Sequence, residues 1–198
     1  KLCAQFNISI VPSGGRTGLS GGAVATNGEL VLSLDRLNKI ENFDPIDRTV
    51  TCGAGVITAQ LQEFAEQQSL YYPVDFASAG SSQIGGNIAT NAGGIKVIKY
   101  GLTRDWVVGL TVVTPAGDIL ELNHGLVKNA TGYDLRHLFI GSEGTLGLIT
   151  QAQMKLTTPP KEPTVMLLAV NELSAISDCL KHFQQSIDLL AFEFFSQQ

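Results

Sequence analysis

The sequence predicts an α+β fold with an antiparallel-rich sheet, flanking helices and the beginning of a second α+β domain. Two hairpins support this prediction, because apolar runs flank turn-forming residues at Asp44–Arg48 and at Pro115–Asp118. The third observation is that strands follow one another in hairpins and do not alternate strictly with helices. A doubly wound parallel sheet is therefore not expected.

The first half of the chain predicts a helix end, two strands, a hairpin and an amphipathic helix. The helix end covers residues 1 to 7, and the two strands cover Ile8–Val11 and Glu29–Leu34, the second after an Asn27-Gly28 turn. The hairpin joins Ile40–Phe43 to Thr49–Cys52 through a five-residue loop, and the amphipathic helix covers Thr58–Gln68. Apolar residues at positions 59, 61, 64 and 65 give the helix its buried face. Thr58 is the expected N-cap, because its hydroxyl can accept from a first-turn amide.

The second half predicts a hairpin, a long strand and a domain boundary. The hairpin joins Trp106–Thr114 to Ile119–Leu122, and the strand covers Leu146–Leu156. Pro159, Pro160 and Pro163 then interrupt the chain, so we expect a first domain at residues 1–158 and part of a second at 164–198. Within the second, strands are expected at Thr164–Val170 and Leu189–Phe195, around a helix at Ser174–Gln185.

Composition restricts the classes of function. The chain has 198 residues, of which 44% are hydrophobic and 16% charged, with a formal net charge of −5. A negative chain argues against nucleic acid as the main partner, and no apolar run approaches the length of a transmembrane segment. Cys3, Cys52 and Cys179 are widely spaced, which indicates free thiols in a reducing compartment. No signal peptide is evident, and a cytoplasmic protein is expected.

Three glycine-rich segments carry the strongest functional signal. The first loop, Pro12–Ala23, follows an apolar strand, and its glycines permit backbone conformations that turn successive N–H groups towards one anion. The second cluster is Gly80–Gly94 and the third is Gly141–Gly147. Three such segments indicate a long ligand that the backbone contacts in several places, although the first loop alone is also compatible with a flexible surface turn.

Two familiar phosphate-binding motifs are absent. A P-loop requires GxxxxGK[ST], and the chain contains no Gly-Lys pair. The GxGxxG fingerprint of the Rossmann fold is missing as well. The small residues of the second cluster fit either close approach to a flat ligand or a close-packed helix crossing. Glu143 lies between small residues and glycine and is expected to form part of a turn, with no catalytic role.

Together the three segments resemble the FAD-binding domain of the vanillyl-alcohol oxidase/p-cresol methylhydroxylase superfamily. Pro12–Ala23, Ile84–Gly94 with Tyr100-Gly101, and Gly141–Gly147 occur in matching order and spacing. Within it, the branch of FAD-linked D-2-hydroxyacid dehydrogenases is most similar, and the Asn129–Asp134 run favours its hydroxyglutarate side. The resemblance implies a p-cresol methylhydroxylase-type fold.

The resemblance also implies a set of cofactor-binding residues. Gly14 to Gly18 would hold the FAD pyrophosphate, the second cluster would line the flavin and ribityl chain, and later backbone contacts would come from the third. The expected residues are Pro12, Ser13, Gly14, Gly15, Arg16, Thr17, Gly18, Pro73, Gly80, Ser81, Ser82, Gly85, Gly86, Asn87, Thr90, Asn91, Gly144 and Ile149. No catalytic or metal-binding residue is expected in this chain.

Some relatives attach FAD covalently through a histidine in the first loop. Arg16 stands at that position here, and no histidine precedes His124, so non-covalent FAD is expected. His124 is expected in a loop, and His137 and His182 on helices; structural roles are expected for all three, because no ligand partner is recognised at suitable spacing.

Family members are about twice as long, so the resemblance implies a first domain truncated at its N-terminus and a substrate domain that is mostly missing. The implied activity is oxidation of a D-2-hydroxy acid to the 2-oxo acid by hydride transfer to flavin N5, with an unknown electron acceptor and a possible peripheral position at the inner membrane. Two alternatives stay open: a non-catalytic FAD-binding fragment, and an NADPH-dependent flavin reductase of the same fold. The fragment alone is expected to be inactive.

Overall fold

The structure, a computed structural model, describes residues 1–123, 125–126 and 128–196. The strands are β1 Ile10–Ser13, β2 Leu30–Ser33, β3 Ile40–Asp44, β4 Thr49–Gly53, β5 Val107–Val113, β6 Ile119–Leu122 and β7 Leu148–Lys155. The helices are α1 Leu2–Gln5, α2 Thr58–Gln67, α3 Ile84–Ala89, α4 Val97–Tyr100, α5 Arg136–Phe139 and α6 Leu173–Ser186, with a short 3-10 helix at Thr103–Trp106. No helix in these described ranges is long and apolar enough to span a membrane.

Five strands form one antiparallel sheet in the order β3-β4-β7-β5-β6. The central strand β7 pairs with β4 from Thr49↔Lys155 to Gly53↔Gln151 and with β5 on its other side. Its buried residues are Ile149, Ala152 and Met154. The three-residue step between the first two falls where the pairing with β5 is irregular, between Thr111 and Val112. The antiparallel-rich sheet predicted from the two hairpins is therefore confirmed.

A separate pair of strands precedes this sheet and leads into the first loop. β1 and β2 run parallel, with Ile10 opposite Leu30 and Ser13 opposite Ser33. Both predicted strands are thus present, although β1 begins at Ile10 and ends at Ser13. Parallel neighbours need a long connection between them, and residues 14–29, which include the first loop from Gly14 onwards, provide it.

Helix α3 lies against β4 and β7 and joins the second cluster to the sheet. The amides of Ile84 and Gly85 donate to the carbonyls of Val56 and Ala54, each at 2.8 Å. A Cβ added at Gly85 would lie 2.6 Å from the Ala54 Cβ, so only glycine allows this contact. The close-packed crossing considered for this cluster is present at Gly85.

Two details of the predicted elements were wrong. Thr58 is the first residue of α2 and not its N-cap, which is Ile57; the Thr58 hydroxyl instead contacts Ser82 across the core. The first hairpin has a shorter loop than expected, because Asp44 still pairs with Thr49. The Asp44 carboxylate accepts from the amides of Ile46 and Asp47, which tightens that turn.

Between β7 and residue 196, where the described part of the chain ends, there is one helix and no assigned strand. Helix α6 is present as predicted, but residues 164–170 and 189–195 form no ladder with any part of the chain that the structure describes. Their apolar side chains, such as Val165 and Phe195, are largely exposed. Apolar β-branched runs favour strands only when a neighbour supplies hydrogen-bond partners, so the two predicted strands here were wrong for this structure. The domain boundary near Pro159 stays a prediction.

Candidate functional site

A cavity of about 490 Å³ lies where the three glycine-rich segments meet. This size is typical of ligand sites, which are concave and largely preformed. The predicted site residues that line it are Pro12, Gly14, Gly15, Arg16, Thr17, Gly18, Gly85, Gly86, Asn87, Thr90, Gly144 and Ile149. Segments that are far apart in the sequence therefore share one wall.

The first loop carries backbone donors that have no protein acceptor in the described part of the chain. Within the described residues, the amides of Gly14 to Gly18 donate no hydrogen bond to any protein acceptor. Arg16 has a φ of 55°, in the left-handed region, and its side chain is exposed. An anion that accepts from such amides would satisfy donors that the protein leaves unpaired.

The backbone of the second cluster packs directly against the first loop. A Cβ at Gly15 would overlap the carbonyl oxygen of Ser81, so the loop rests directly on the backbone of the cluster. A Cβ at Gly86 would meet no protein atom within 4 Å, and Gly86 lines the cavity. The absence of a side chain at Gly86 therefore leaves space in the cavity. The absence of a side chain at Gly85 instead allows α3 to pack against Ala54.

The third cluster closes the cavity against the first loop. A Cβ at Gly144 would lie 2.9 Å from the Pro12 Cγ, and Gly144 has a φ of 81°. Glu143 also has a positive φ, 51°, and its amide donates to the carbonyl of Ala89 at 2.9 Å. The expected turn at Glu143 is therefore present, and its side chain also lines the cavity near Gly22.

A buried polar network fixes Asn87 at the cavity wall. Its Nδ2 donates to the Thr58 Oγ1 at 2.7 Å, and Thr58 in turn lies 2.7 Å from the Ser82 Oγ. All three residues are buried. Because buried polar groups need partners, this network determines the position of the Asn87 amide before any ligand arrives.

Several predicted residues do not line the cavity. Ser13 is buried at the end of β1, where its carbonyl accepts from Leu34, and Pro73 lies fully buried in the core. Ser82 belongs to the buried network, and Ser81 acts through its carbonyl under Gly15. Gly80 is exposed, and Asn91 accepts from the amide of Arg104 at 3.0 Å. Their contact with a cofactor stays a prediction.

Other residues line the cavity without having been predicted. They are Ser20, Gly22, Ala23, Leu34, Phe76, Ser78, Gln83, Ala89, Ala92, Gly93, Glu143, Gly147 and Leu148. Most are immediate neighbours of predicted positions, so a wider window around each cluster would have included them. Leu34 and Phe76 lie outside the clusters, and no sequence signal separates them from ordinary core residues.

The Asp35 carboxylate is held by two side chains near the first loop. Asp35 accepts from the Gln83 Nε2 at 2.7 Å and from the Ser33 Oγ at 2.8 Å. These hydrogen bonds, with the Arg16 guanidinium as a further favourable charge, hold the pKa of Asp35 below its usual value. Asp35 is therefore favoured in its ionised form.

A second cavity, of about 190 Å³, contains the Asn129–Asp134 run. Arg136 pairs with Asp134 there at 2.5 Å and donates to the carbonyl of Val107 at 2.7 Å. The hydrogen bond and charge of Arg136 lower the pKa of Asp134. The bound guanidinium anchors this run to β5.

Two of the three histidines lie on helices, as the sequence indicated. His137 lies on α5 and His182 on α6, whereas His124 falls outside the described residues. The sequence analysis overlooked Asp134, which lies 3.5 Å from the His137 Nε2. That carboxylate already pairs with Arg136, and the described residues contain no group of three metal-ligating side chains.

The residues around the larger cavity fit an extended phosphate-containing cofactor. The unpaired amides of Gly14 to Gly18 match an anion, and the space left by Gly86 matches a flat group that approaches the backbone closely. Fold and cavity together define a nucleotide-cofactor-binding domain.

The chain belongs to the FAD-binding domain family, whose pattern matches residues 1–123. FAD is accordingly its cofactor, as the resemblance implied. The chain is 61% identical to D-2-hydroxyglutarate dehydrogenase of Stutzerimonas stutzeri over 191 residues, which cover 96% of this chain and 41% of that protein. It is 40% identical to D-lactate dehydrogenase of Anaerostipes hadrus, covering 100% of this chain and 42% of the relative. The chain thus spans about two fifths of the length of these curated relatives.

A solved structure supports the fold assignment. An alkyldihydroxyacetonephosphate synthase matches with a TM-score of 0.71 and 33% identity, over 81% of this chain and 29% of that protein. This likeness confirms the p-cresol methylhydroxylase-type fold and membership in the vanillyl-alcohol oxidase superfamily. The glycolate oxidase subunit GlcD of Bacillus subtilis, 42% identical over 88% of this chain and 37% of its own length, extends the same group.

Proposed function

We propose that the chain is the FAD-binding part of a dehydrogenase that oxidises a D-2-hydroxy acid to the corresponding 2-oxo acid. The observation that supports this most strongly is the 61% identity to a D-2-hydroxyglutarate dehydrogenase across 96% of the chain. The cavity is consistent with it, since Gly14 to Gly18 provide unpaired donors for an anion and Gly86 leaves space for a flat ring.

When bound, FAD would supply the hydride acceptor for the reaction. The contribution of this chain is to hold and orient that cofactor. Gly14 to Gly18 would donate their unpaired amides to its diphosphate, and Gly86, Asn87 and Thr90 would face its flavin and ribityl parts. Arg16 occupies the position where covalent relatives carry histidine, so the attachment would be non-covalent.

In this proposal, substrate binding and proton abstraction belong to other parts of the protein. The residues that recognise the substrate carboxylate, hold a divalent metal and accept the hydroxyl proton would lie in the substrate domain. A separate redox partner would accept the electrons. A cytoplasmic location, with contact to the inner membrane through that partner, stays a prediction.

Anaerobic flavin reduction tests the proposal. The complete protein is reconstituted with FAD and mixed with D-2-hydroxyglutarate or D-lactate, with the L-enantiomers as controls. We expect the flavin absorbance to bleach with a D-acid only. Bound flavin that no hydroxy acid bleaches would support the non-catalytic alternative, and bleaching by NADPH would support the reductase. A protein that never takes up flavin would contradict the proposal.

A further inference from the structure

Gln83 occupies a distinctive place between the first loop and the second cluster. Its side chain lines the cavity, and the residue is only 7% exposed. It precedes α3 directly, so its backbone is fixed by the helix and by the bridge between Ile57 and Gln83. A buried amide at such a position must find partners for both its nitrogen and its oxygen.

Asp35 determines which way this amide points. The Gln83 Nε2 donates to the Asp35 Oδ1 at 2.7 Å. An ionised carboxylate only accepts hydrogen bonds, so a flipped amide would place two acceptors against each other. Ser33 strengthens the arrangement, because its hydroxyl donates to the other Asp35 oxygen at 2.8 Å.

The Gln83 oxygen is consequently directed at the first loop. It is buried and has no hydrogen-bond partner among the described residues. A Cβ at Gly14 would lie 3.1 Å from this oxygen, so the loop backbone packs directly over it. The nearby loop amides, from Gly14 onwards, are also unpaired. An unpaired acceptor therefore lies against Gly14, in a loop whose amides are themselves unpaired.

We propose that Asp35 and Gln83 are positioning residues of the first loop. Asp35 fixes the Gln83 amide so that its Oε1 supports Gly14, and a loop N–H donates to this oxygen when an anionic ligand draws the loop inwards. The inference rests on the proposed function, because the ligand in question is the diphosphate of FAD. In this arrangement both residues act on the ligand through the loop.

A double-mutant cycle on the complete protein separates this role from general packing. The Gln83→Glu variant places a second carboxylate against Asp35 and so loses the hydrogen bond between the two side chains. In the Asp35→Asn variant the side chain at position 35 can both donate and accept, so it no longer fixes the orientation of the Gln83 amide. In the double variant, the amide introduced at position 35 can donate to the carboxylate introduced at position 83. This exchange restores the bond, the net charge of the pair and an acceptor facing Gly14. We expect each single variant to raise the Kd for FAD about tenfold and the double variant to return it to within about threefold of the wild type.

Trypsin cleavage after Arg16 gives a second measurement that does not depend on flavin chemistry. We expect faster cleavage in apo-protein of both single variants and near-normal cleavage in the double variant, with inorganic pyrophosphate protecting the wild type most. Asp44→Asn, which removes a carboxylate from the β3–β4 turn, is the matched control and should change neither measurement.

Unchanged Kd and cleavage in the single variants, or a double variant worse than both, would overturn the inference while leaving FAD binding intact. A wild-type protein that binds no FAD would instead refute the proposed function.

Discussion

Gly144 lies against Pro12, so that the third glycine-rich cluster meets the first loop at a point where only glycine fits. A Cβ at position 144 would come within 2.9 Å of the Pro12 Cγ, and the φ of 81° adds backbone strain for any other residue. The contact joins two parts of the chain that the sequence separates widely. Both residues line the cavity, so the contact also joins two parts of its wall.

Gly144→Ala is expected to destabilise the fold and weaken FAD binding together. The strained φ costs about 1–2 kcal/mol, and the overlap with Pro12 adds about 1–3 kcal/mol. Gly28→Ala is the matched control, since Gly28 also has a φ of 81° but a Cβ there meets nothing within 4 Å. Thermal unfolding and FAD titration measure both effects. Equal losses in the two variants would show that the Pro12 contact contributes nothing.

Gly85→Ala and Gly86→Ala should separate packing from ligand space. The first variant places a Cβ 2.6 Å from the Ala54 Cβ and should lower the free energy of unfolding by about 1–3 kcal/mol. The second meets no protein atom and should keep or raise the stability of α3, because alanine favours helix. We expect Gly86→Ala to lower FAD affinity nonetheless. An unchanged Kd in this variant would mean that the ligand does not approach Gly86.

Thr58→Val tests the buried network behind Asn87. The substitution leaves the Asn87 Nδ2 without its acceptor and should cost about 1–3 kcal/mol of stability. Thr145→Val serves as the control, because that hydroxyl donates to the Ser142 carbonyl at an exposed turn. Chemical denaturation gives both values. Similar small losses in both variants would contradict a special role for the buried hydroxyl.

Acid treatment should release all FAD from the protein. Arg16 offers no nucleophile for a covalent bond to the flavin, so precipitation with trichloroacetic acid should leave the yellow colour in the supernatant. The released cofactor is identified by chromatography against an FAD standard. Flavin that stays with the precipitated protein would refute non-covalent attachment.

Cys52 should resist alkylation in the native protein. Burial raises the pKa of its thiol to about 12, so the reactive thiolate makes up only about one part in ten thousand at pH 8. Because the pKa is raised, the thiolate fraction increases only when the pH rises towards that value. Cys3 and Cys179 are less buried and should react with iodoacetamide first, as peptide mass spectrometry can show. Early modification of Cys52 would contradict the buried position.

The fold of the first 158 residues could largely be predicted from local patterns. Turn residues between apolar runs indicated both hairpins, and glycine placement indicated the loops around the cavity. The sequence did not show that β7 would lie between β4 and β5, because strand order depends on contacts between distant segments. Residues 164–170 were expected to form a strand because their residue types favour strands. Strand propensity alone does not show whether a neighbouring strand is available for hydrogen bonding, and none pairs with these residues in the described part of the chain.

In the candidate site, too, residues within the glycine-rich motifs could be predicted from the sequence, whereas contacts between distant segments could not. Gly14 to Gly18 and Gly86 were identified from composition and from the family resemblance. Phe76 lines the cavity although nothing in its neighbours distinguishes it from a core residue. The pairing of Gln83 with Asp35 spans 48 positions, so it could only be seen once the chain was folded.

The central position of β7 has a consequence for the order of assembly. Both of its sheet neighbours precede it in the chain, so during synthesis the two hairpins remain unjoined until β7 leaves the ribosome. Leu148 and Ile149 on the same strand supply part of the cavity wall. The nascent chain should therefore be unable to retain FAD until its sheet has closed, and cofactor capture would mark the completion of this domain.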